Sequence, residues 1–256
     1  MQETEQAYVG VILAAGKGTR LTPHTNSVPK CLVAVSGELP ILHLQLDALS
    51  QTGIHDIYIV VGHRADQIKA YTSHNFPNLA IRFIENPEYA TTNTFYSLAC
   101  AAAHIPETHT VLQLNADVVF EPSIITDIMT PHSSESMVAV RCDTCSEEEI
   151  KVHIAADGSI KELSKQVGVM DALGEGIGIN LFTPSFWRLY RDILLSTQDT
   201  YRNDYFEYGI ELAIAQGARI IPFDIGDRSA IEIDFPEDLT RARALPFLTT
   251  AQADDA

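Results

Sequence analysis

The chain reads as an α/β protein, a Rossmann-like fold whose central sheet is mixed but mostly parallel and carries helices on both faces. Three observations predict it. Short runs rich in branched apolar residues, such as Tyr8 to Leu13 and Asp56 to Val61, alternate with segments whose apolar residues recur every three or four positions. The runs stay apolar rather than alternating, as in strands buried on both faces. At 256 residues and 46% hydrophobic, the chain can bury a large core, and sheets of this length are often one domain.

Each element follows in order. The strand Tyr8 to Leu13 empties into Ala14-Ala15-Gly16-Lys17-Gly18-Thr19-Arg20, and Pro29-Lys30 leads into an expected strand from Cys31 to Val35. An amphipathic helix spans Ile41 to Leu49, and the strand Asp56 to Val61 ends at Gly62-His63-Arg64. Helices at Ala65 to Tyr71 and Asn93 to Ala103 alternate with strands at Leu79 to Glu85 and Thr110 to Asn115. The second half is less regular. It has a helix at Pro122 to Met129, a strand at Met137 to Arg141, and a hairpin of Val152 to Ile154 and Ile160 to Leu163 around Asp157-Gly158. A strand at Gly176 to Phe182, helices opening at Pro184 and Tyr205, strands at Arg219 to Asp224 and Ala230 to Asp234, and a helix from Pro236 complete the chain.

Composition excludes several functions. A net charge of -17 argues against nucleic acid and anionic membranes as partners, so any phosphate site must be built locally. The first residues are polar and acidic, unlike a signal peptide, and no apolar run approaches the roughly 20 residues of a membrane helix, so a cytoplasmic location is expected. Cys142 and Cys145 form a lone CxxC; with no second pair to complete a zinc site, free thiols are expected.

The loop after the first strand suits a nucleoside triphosphate. Gly16 and Gly18 let the backbone bend and turn N–H groups toward a ligand, while Lys17 and Arg20 offer charge to phosphate oxygens. It is not a Walker loop, because Gly18 rather than Ser or Thr follows Lys17. Nor is it the dinucleotide fingerprint, because Leu21 stands where a third glycine belongs.

Leu13 to Leu21 followed by Pro29-Lys30-Cys31-Leu32 resembles the two-part signature of the sugar-nucleotide pyrophosphorylase and cytidylyltransferase superfamily, LAAGxGxRL and then Pro-Lys before an apolar strand. The resemblance implies the nucleotide-diphospho-sugar transferase fold, in one domain over residues 1–250. A nucleotide half covers about 7–120, an acceptor half about 121–245, and a tail 251–256. It also implies a nucleotide cradle formed by Leu13, Ala14, Ala15, Gly16, Gly18 and Gly62.

Asp117, just past the strand that ends at Asn115, sits where open α/β sheets bind ligands. The resemblance makes it a ligand of magnesium riding on the triphosphate; the plainer alternative is a helix-cap or turn aspartate. Ala230 to Leu239 looks like the family's closing motif, with Glu-x-Asp before Pro-Glu-Asp-Leu. Strand alternation puts Glu232 and Asp234 on one side, within reach of a metal, and Glu237 and Asp238 favour the helix N-terminus that follows.

Glu85 to Leu98 resembles the NPxY and TNNxxSLxxA segment of the phosphocholine and aminoethylphosphonate cytidylyltransferases, which flanks the nucleotide base. It implies contacts from Asn93, Thr94 and Ser97. Thr94 departs from the common second Asn, and Asn93 equally suits a helix cap. Lys165 matches a further family lysine that approaches the acceptor phosphate. Near it in function, the acidic and aromatic mix of Tyr201, Asp204, Tyr205, Glu207 and Tyr208 can hold an ammonium group, although the helical spacing of Tyr205 and Tyr208 also suits packing.

The expected activity is therefore Mg2+-dependent transfer of CMP from CTP to a small phosphate or phosphonate monoester. In it, Arg20 and Lys17 screen the leaving pyrophosphate, Lys30 bridges acceptor and α-phosphate, and Lys165 holds the acceptor. A sugar-1-phosphate nucleotidyltransferase would share these residues, and a nonenzymatic nucleotide-binding regulatory module would have lost some of them. Oligomeric state stays open, a homodimer being common in families of this kind.

Overall fold

The structure is a computed structural model, described here for residues 7–130, 134–143 and 145–249; the expected tail at 251–256 lies outside the described residues. In chain order the elements are β1 (Tyr8–Ala14), β2 (Ala34–Ser36), β3 (Leu39–Pro40), α1 (Ile41–Gln51), β4 (Asp56–Val61), α2 (Ala65–Asn75), β5 (Ala80–Glu85) and α3 (Thr94–Ala102). Then follow β6 (Thr110–Asn115), β7 (Val118–Phe120), α4 (Ser123–Ile128), β8 (Ser136–Arg141), β9 (Lys151–Ile154), β10 (Ile160–Ser164) and β11 (Gly174–Phe182). The chain closes with α5 (Pro184–Thr197), α6 (Phe206–Ala215), β12 (Ile220–Asp224), β13 (Ala230–Glu232) and α7 (Pro236–Arg243).

The main sheet runs β10-β9-β11-β6-β1-β4-β5, with β8 joined to β11 and β12 joined to β8. Strands β6, β1, β4 and β5 are parallel, in registers such as Val11↔Gln113 and Val11↔Tyr58. β11 reverses the direction, antiparallel to both β6 and β8. Its register shifts between Gly176 and Asn180, around Gly178 at φ +70°, where a Cβ would come within 2.7 Å of the Asn115 side chain. A glycine there lets one strand serve two neighbours.

Alternation along β1 explains the two helical layers. Val9, Val11 and Leu13 face the cluster of Phe95, Leu98, Trp187, Tyr190 and Ile210 from α3, α5 and α6. Ile12 and Ala14 face the opposite cluster, with Leu42, Leu46, Ile68 and Ile124 from α1, α2 and α4.

A third, smaller cluster sits beside the sheet. Leu21, Val33, Val35, Ile41, Val119, Ile233 and Leu239 pack together, tying the loop after β1 to the two-stranded ribbon of β7 and β13 and to α7. Leu21 is wholly buried there, so truncating it to alanine should cost roughly 2–5 kcal/mol and release the loop.

The expected strand from Cys31 to Val35 is replaced by a 3-10 turn, Lys30–Leu32, followed by the short β2. The N–H groups of Leu32 and Val33 donate to the carbonyls of Pro29 and Lys30 at 2.9 and 3.0 Å. Cys31 and Val33 are buried in different clusters, and the turn that sends them apart also carries Lys30 inward. A five-residue apolar run does not distinguish such a turn from a strand.

Candidate active site

A cleft of about 1090 Å³ opens outside the carboxyl ends of β1 and β6, the position that strand polarity favours for ligands in such sheets. The loop after β1 forms one wall. Gly18 holds φ +62°, and a Cβ there would lie 2.8 Å from Lys30 Cβ, so this position needs glycine for both conformation and space. Gly16 has open space around it instead. Lys17 and Arg20 line the same wall.

On the floor, β7 and β13 pair with Glu232 opposite Val118, and the Ile233 N–H donates to the Asp117 carbonyl at 3.0 Å. This ribbon sets Asp117, Glu232 and Asp234 so that a carboxylate oxygen of each lies within 4.8 Å of the others. Lys30 Nζ donates to Asp117 Oδ2 and to Asp234 Oδ1, each at 2.7 Å. Arg20 pairs with the other Asp234 oxygen at 2.8 Å and lies 5.4 Å from the Phe235 ring centroid.

Electrostatics follow from this crowding. Burial opposes the charge on Lys30, but the fields of Asp117 and Asp234 and their hydrogen bonds outweigh it and raise its pKa. The charge of Asp117, then burial and Asp234, push Glu232 well above the usual carboxylate range. Three oxygen donors under mutual repulsion suit a hard divalent cation. Behind them, Asp238 accepts from the Asp234 and Phe235 N–H groups at 3.0 and 2.8 Å, as expected of a carboxylate at the start of α7.

The far end of the cleft is acidic and aromatic. Lys165 Nζ lies 5.5 Å from the Tyr205 ring centroid and 3.8 Å from Glu148 Oε2. Glu207 is buried, its Oε2 has no hydrogen-bond partner, and burial lifts its pKa to about 8. Arg141 pairs with Glu175 and donates to the Ala230 carbonyl at 2.8 Å, tying this end to the carboxylate ribbon.

The cleft brings together Leu13, Ala14, Gly16, Lys17, Gly18, Arg20, Lys30, Asn93, Thr94, Asp117, Lys165, Tyr205, Glu232 and Asp234. Four expected contacts fall outside its lining. The Ala15 carbonyl accepts the His63 N–H at 3.0 Å, which pins the loop to the end of β4. Gly62 packs against that carbonyl and Tyr89, where a Cβ would meet Tyr89 at 2.6 Å. The Ser97 hydroxyl accepts from Asn86 Nδ2 at 3.0 Å, bracing the segment from within. Tyr208 packs edge-on against Tyr201 with centroids 4.9 Å apart.

Other residues that brace the cleft escaped sequence reading. Gln45, wholly inside α1, donates from Nε2 to the carbonyls of Asn115 and Val118, both at 2.8 Å, bracketing Asp117. Buried Lys151 donates to the carbonyls of Ser146, Glu147 and Glu149, shaping the edge that carries Glu148. Only Arg141 had a usable signal, its place at the end of a strand. All four cysteines are free.

Fold and cleft together define an α/β protein with a cationic glycine-bearing loop and three clustered carboxylates at the ends of parallel strands. Residues 10–175 match the MobA-like NTP transferase domain, and the chain belongs to that family. It is 28% identical over 240 residues to CMP-5'-(3-aminopropyl)phosphonate synthase of Streptomyces rubellomurinus, covering 91% of this chain and 38% of the relative. With choline-phosphate cytidylyltransferase of Streptococcus pneumoniae it shares 42% identity over 88 residues, 34% of this chain and 36% of the relative. The matches thus span little more than a third of the length of either curated relative. The solved structure of CTP:phosphocholine cytidylyltransferase from Streptococcus pneumoniae overlays with a TM-score of 0.75 at 23% identity, covering 93% of this chain and 98% of that one, a likeness of fold. No helix among the described residues is long and apolar enough to cross a membrane.

Proposed function

We propose that the protein is a cytidylyltransferase, moving CMP from CTP to a small, amine-bearing phosphate or phosphonate monoester and releasing pyrophosphate in the cytoplasm. The observation that carries this reading is the polarity of one cleft. A cationic small-residue loop faces the carboxylate ribbon at one end, and a single lysine lies among Tyr205, Glu148 and buried Glu207 at the other. The names of the relatives, which concern aminopropylphosphonate and choline phosphate, support the same acceptor class.

In the reaction, an ionised acceptor oxygen attacks the α-phosphorus of CTP. One P–O bond forms to the acceptor, and the bond to the β-phosphate bridging oxygen breaks, that oxygen leaving with pyrophosphate. The acceptor is already a nucleophile at neutral pH, so catalysis reduces to alignment and charge neutralisation. Lys17 and Arg20 meet the departing pyrophosphate. Lys30, held between Asp117 and Asp234, contacts the anions that meet at the α-phosphorus. Lys165 binds the acceptor phosphate. Glu207, with an unpartnered oxygen, and the Tyr205 ring meet its ammonium group.

Asp117, Asp234 and Glu232 are the residues that would hold Mg2+. When bound, the ion supplies neutralisation of the triphosphate charge.

Pyrophosphate release, measured with CTP, UTP, GTP, ATP and dTTP crossed against phosphocholine, 2-aminoethylphosphonate, hydroxyethylphosphonate and hexose 1-phosphates in the presence of Mg2+, tests the reading. Turnover confined to CTP and an amine-bearing acceptor is expected. Turnover with UTP, GTP or dTTP and a hexose phosphate would replace it with a sugar-1-phosphate nucleotidyltransferase. Nucleotide binding without any turnover would favour a regulatory module.

A further inference from the structure

We infer that Thr94 is a positioning residue for the acceptor end of the cleft, acting through the first turn of α6 rather than on the nucleotide base. The inference rests on the reading above, in which the acceptor lies against Lys165, Tyr205 and Glu207.

Thr94 opens α3, in the segment whose sequence points to the base, and it is the position where that segment departs from the pattern it resembles. Its hydroxyl oxygen faces the other half of the chain. Thr94 Oγ1 accepts the Phe206 N–H at 3.0 Å. That amide is the first of α6, a helix whose own N-cap residue, Tyr205, makes no side-chain capping bond. An N-cap side chain reaches the N–H groups of the second and third helical residues, so the first N–H, left without a partner inside the helix, must find its acceptor elsewhere. Here a residue more than a hundred positions earlier supplies that acceptor.

The contact belongs to a seam. The Asn93 N–H donates to the Arg202 carbonyl at 2.8 Å, and the Phe95 N–H donates to the Asp204 carbonyl at 3.2 Å. Arg202 pairs with Glu88 and lies 5.4 Å from the Tyr96 ring centroid. Phe206 itself is buried, so its amide is the fixed point between two residues that line the cleft, Tyr205 and Glu207. Tyr205 carries Lys165 over its ring. Losing the Thr94 acceptor frees the turn that aims all three groups at the acceptor, while the loop that meets the triphosphate is untouched.

The test compares Thr94→Val, which keeps the shape and loses the oxygen, with Thr94→Ser, which restores it. Amide hydrogen exchange at Phe206 should be about tenfold faster in Thr94→Val and near wild type in Thr94→Ser, the size of one buried hydrogen bond. With an acceptor that the wild type turns over, the acceptor KM should rise about tenfold in Thr94→Val, with the CTP KM within about twofold of wild type, and Thr94→Ser should recover most of the loss. An unchanged Phe206 exchange rate overturns the inference, as does a rise in the CTP KM without one in the acceptor KM. Failure of the functional reading shows separately, in which acceptor and nucleotide the wild type uses; the exchange arm holds for any acceptor.

Discussion

Asp117 and Asp234 share one ammonium group: Lys30 Nζ sits 2.7 Å from a carboxylate oxygen of each. The three residues come from a 3-10 turn, a strand-end loop and the strand-to-helix junction before α7, and the small core around Leu21, Val119 and Ile233 brings them together. A lysine in this position is both a counter-charge to the two carboxylates and a cation available to phosphate. Lys30→Ala should therefore lower kcat by about 100- to 1000-fold, the scale of losing one preorganised charge at the reacting centre, with a much smaller change in the CTP KM. Steady-state kinetics with saturating Mg2+ check this, and an unaltered kcat would remove Lys30 from the reaction.

The two glycines of the first loop should behave differently. At Gly18 an added Cβ meets Lys30 Cβ at 2.8 Å and the backbone holds a left-handed angle, whereas Gly16 has nothing within 4 Å. Gly18→Ala should lose about 1–2 kcal/mol of stability from the backbone angle alone. It should also displace Lys30. Gly16→Ala should fold as the wild type does, with any loss confined to CTP affinity. Denaturant melts together with CTP titrations separate the two effects.

Gln45 reaches Asp117 only through the backbone, by donating to the carbonyls on either side of it. Gln45→Leu leaves both carbonyls short of a donor in a buried place and should cost about 1–3 kcal/mol. Because Gln45 Oε1 has no hydrogen-bond partner of its own, the net loss should fall toward the lower end. A fall in kcat of about tenfold is expected, since a misplacement near the chemistry acts on turnover. Thermal melts and kcat measured side by side check the pair of effects.

Glu207 gives a pH signature. Burial lifts its carboxyl to about 8 in the folded protein, against an ordinary value of 4.5 in the unfolded chain. The folded state thus holds a proton that the unfolded state has released between these values, so its contribution to stability is fully present below pH 4.5 and is lost as pH rises through 8. Glu207→Gln, neutral at every pH, should raise Tm relative to wild type at pH 8.5 and lose that advantage by pH 5. Melts across that range check it, and a pH-independent difference would mean the carboxyl is not held neutral.

The order of strands and helices and the place of the loop were legible in the residues, because apolar period and glycine-bearing turns are local properties. Arg20 was legible in the glycine-bearing loop and Asp117 just past a strand end, where open sheets present their ligands, while Lys30, Glu232 and Asp234 were legible through the resemblance of Pro29-Lys30 and of Ala230 to Leu239 to the family's motifs. The structure sets all five together, around one cleft.

What only tertiary structure decided is which partner each group finds. The run at Cys31 to Val35 becomes a turn because its side chains enter two different cores. Ser97 and Gly62 serve the segment's own packing, while Thr94 caps a helix from the far half of the chain. Gln45, Lys151 and Glu175 carry no local pattern at all: their roles exist only where distant backbone carbonyls or a guanidinium converge on them. Sequence fixes which chemical groups are available and the face of the element each occupies. Hydrogen bonds and ion pairs act over about 3 Å, so which groups meet is set by the packing of whole elements.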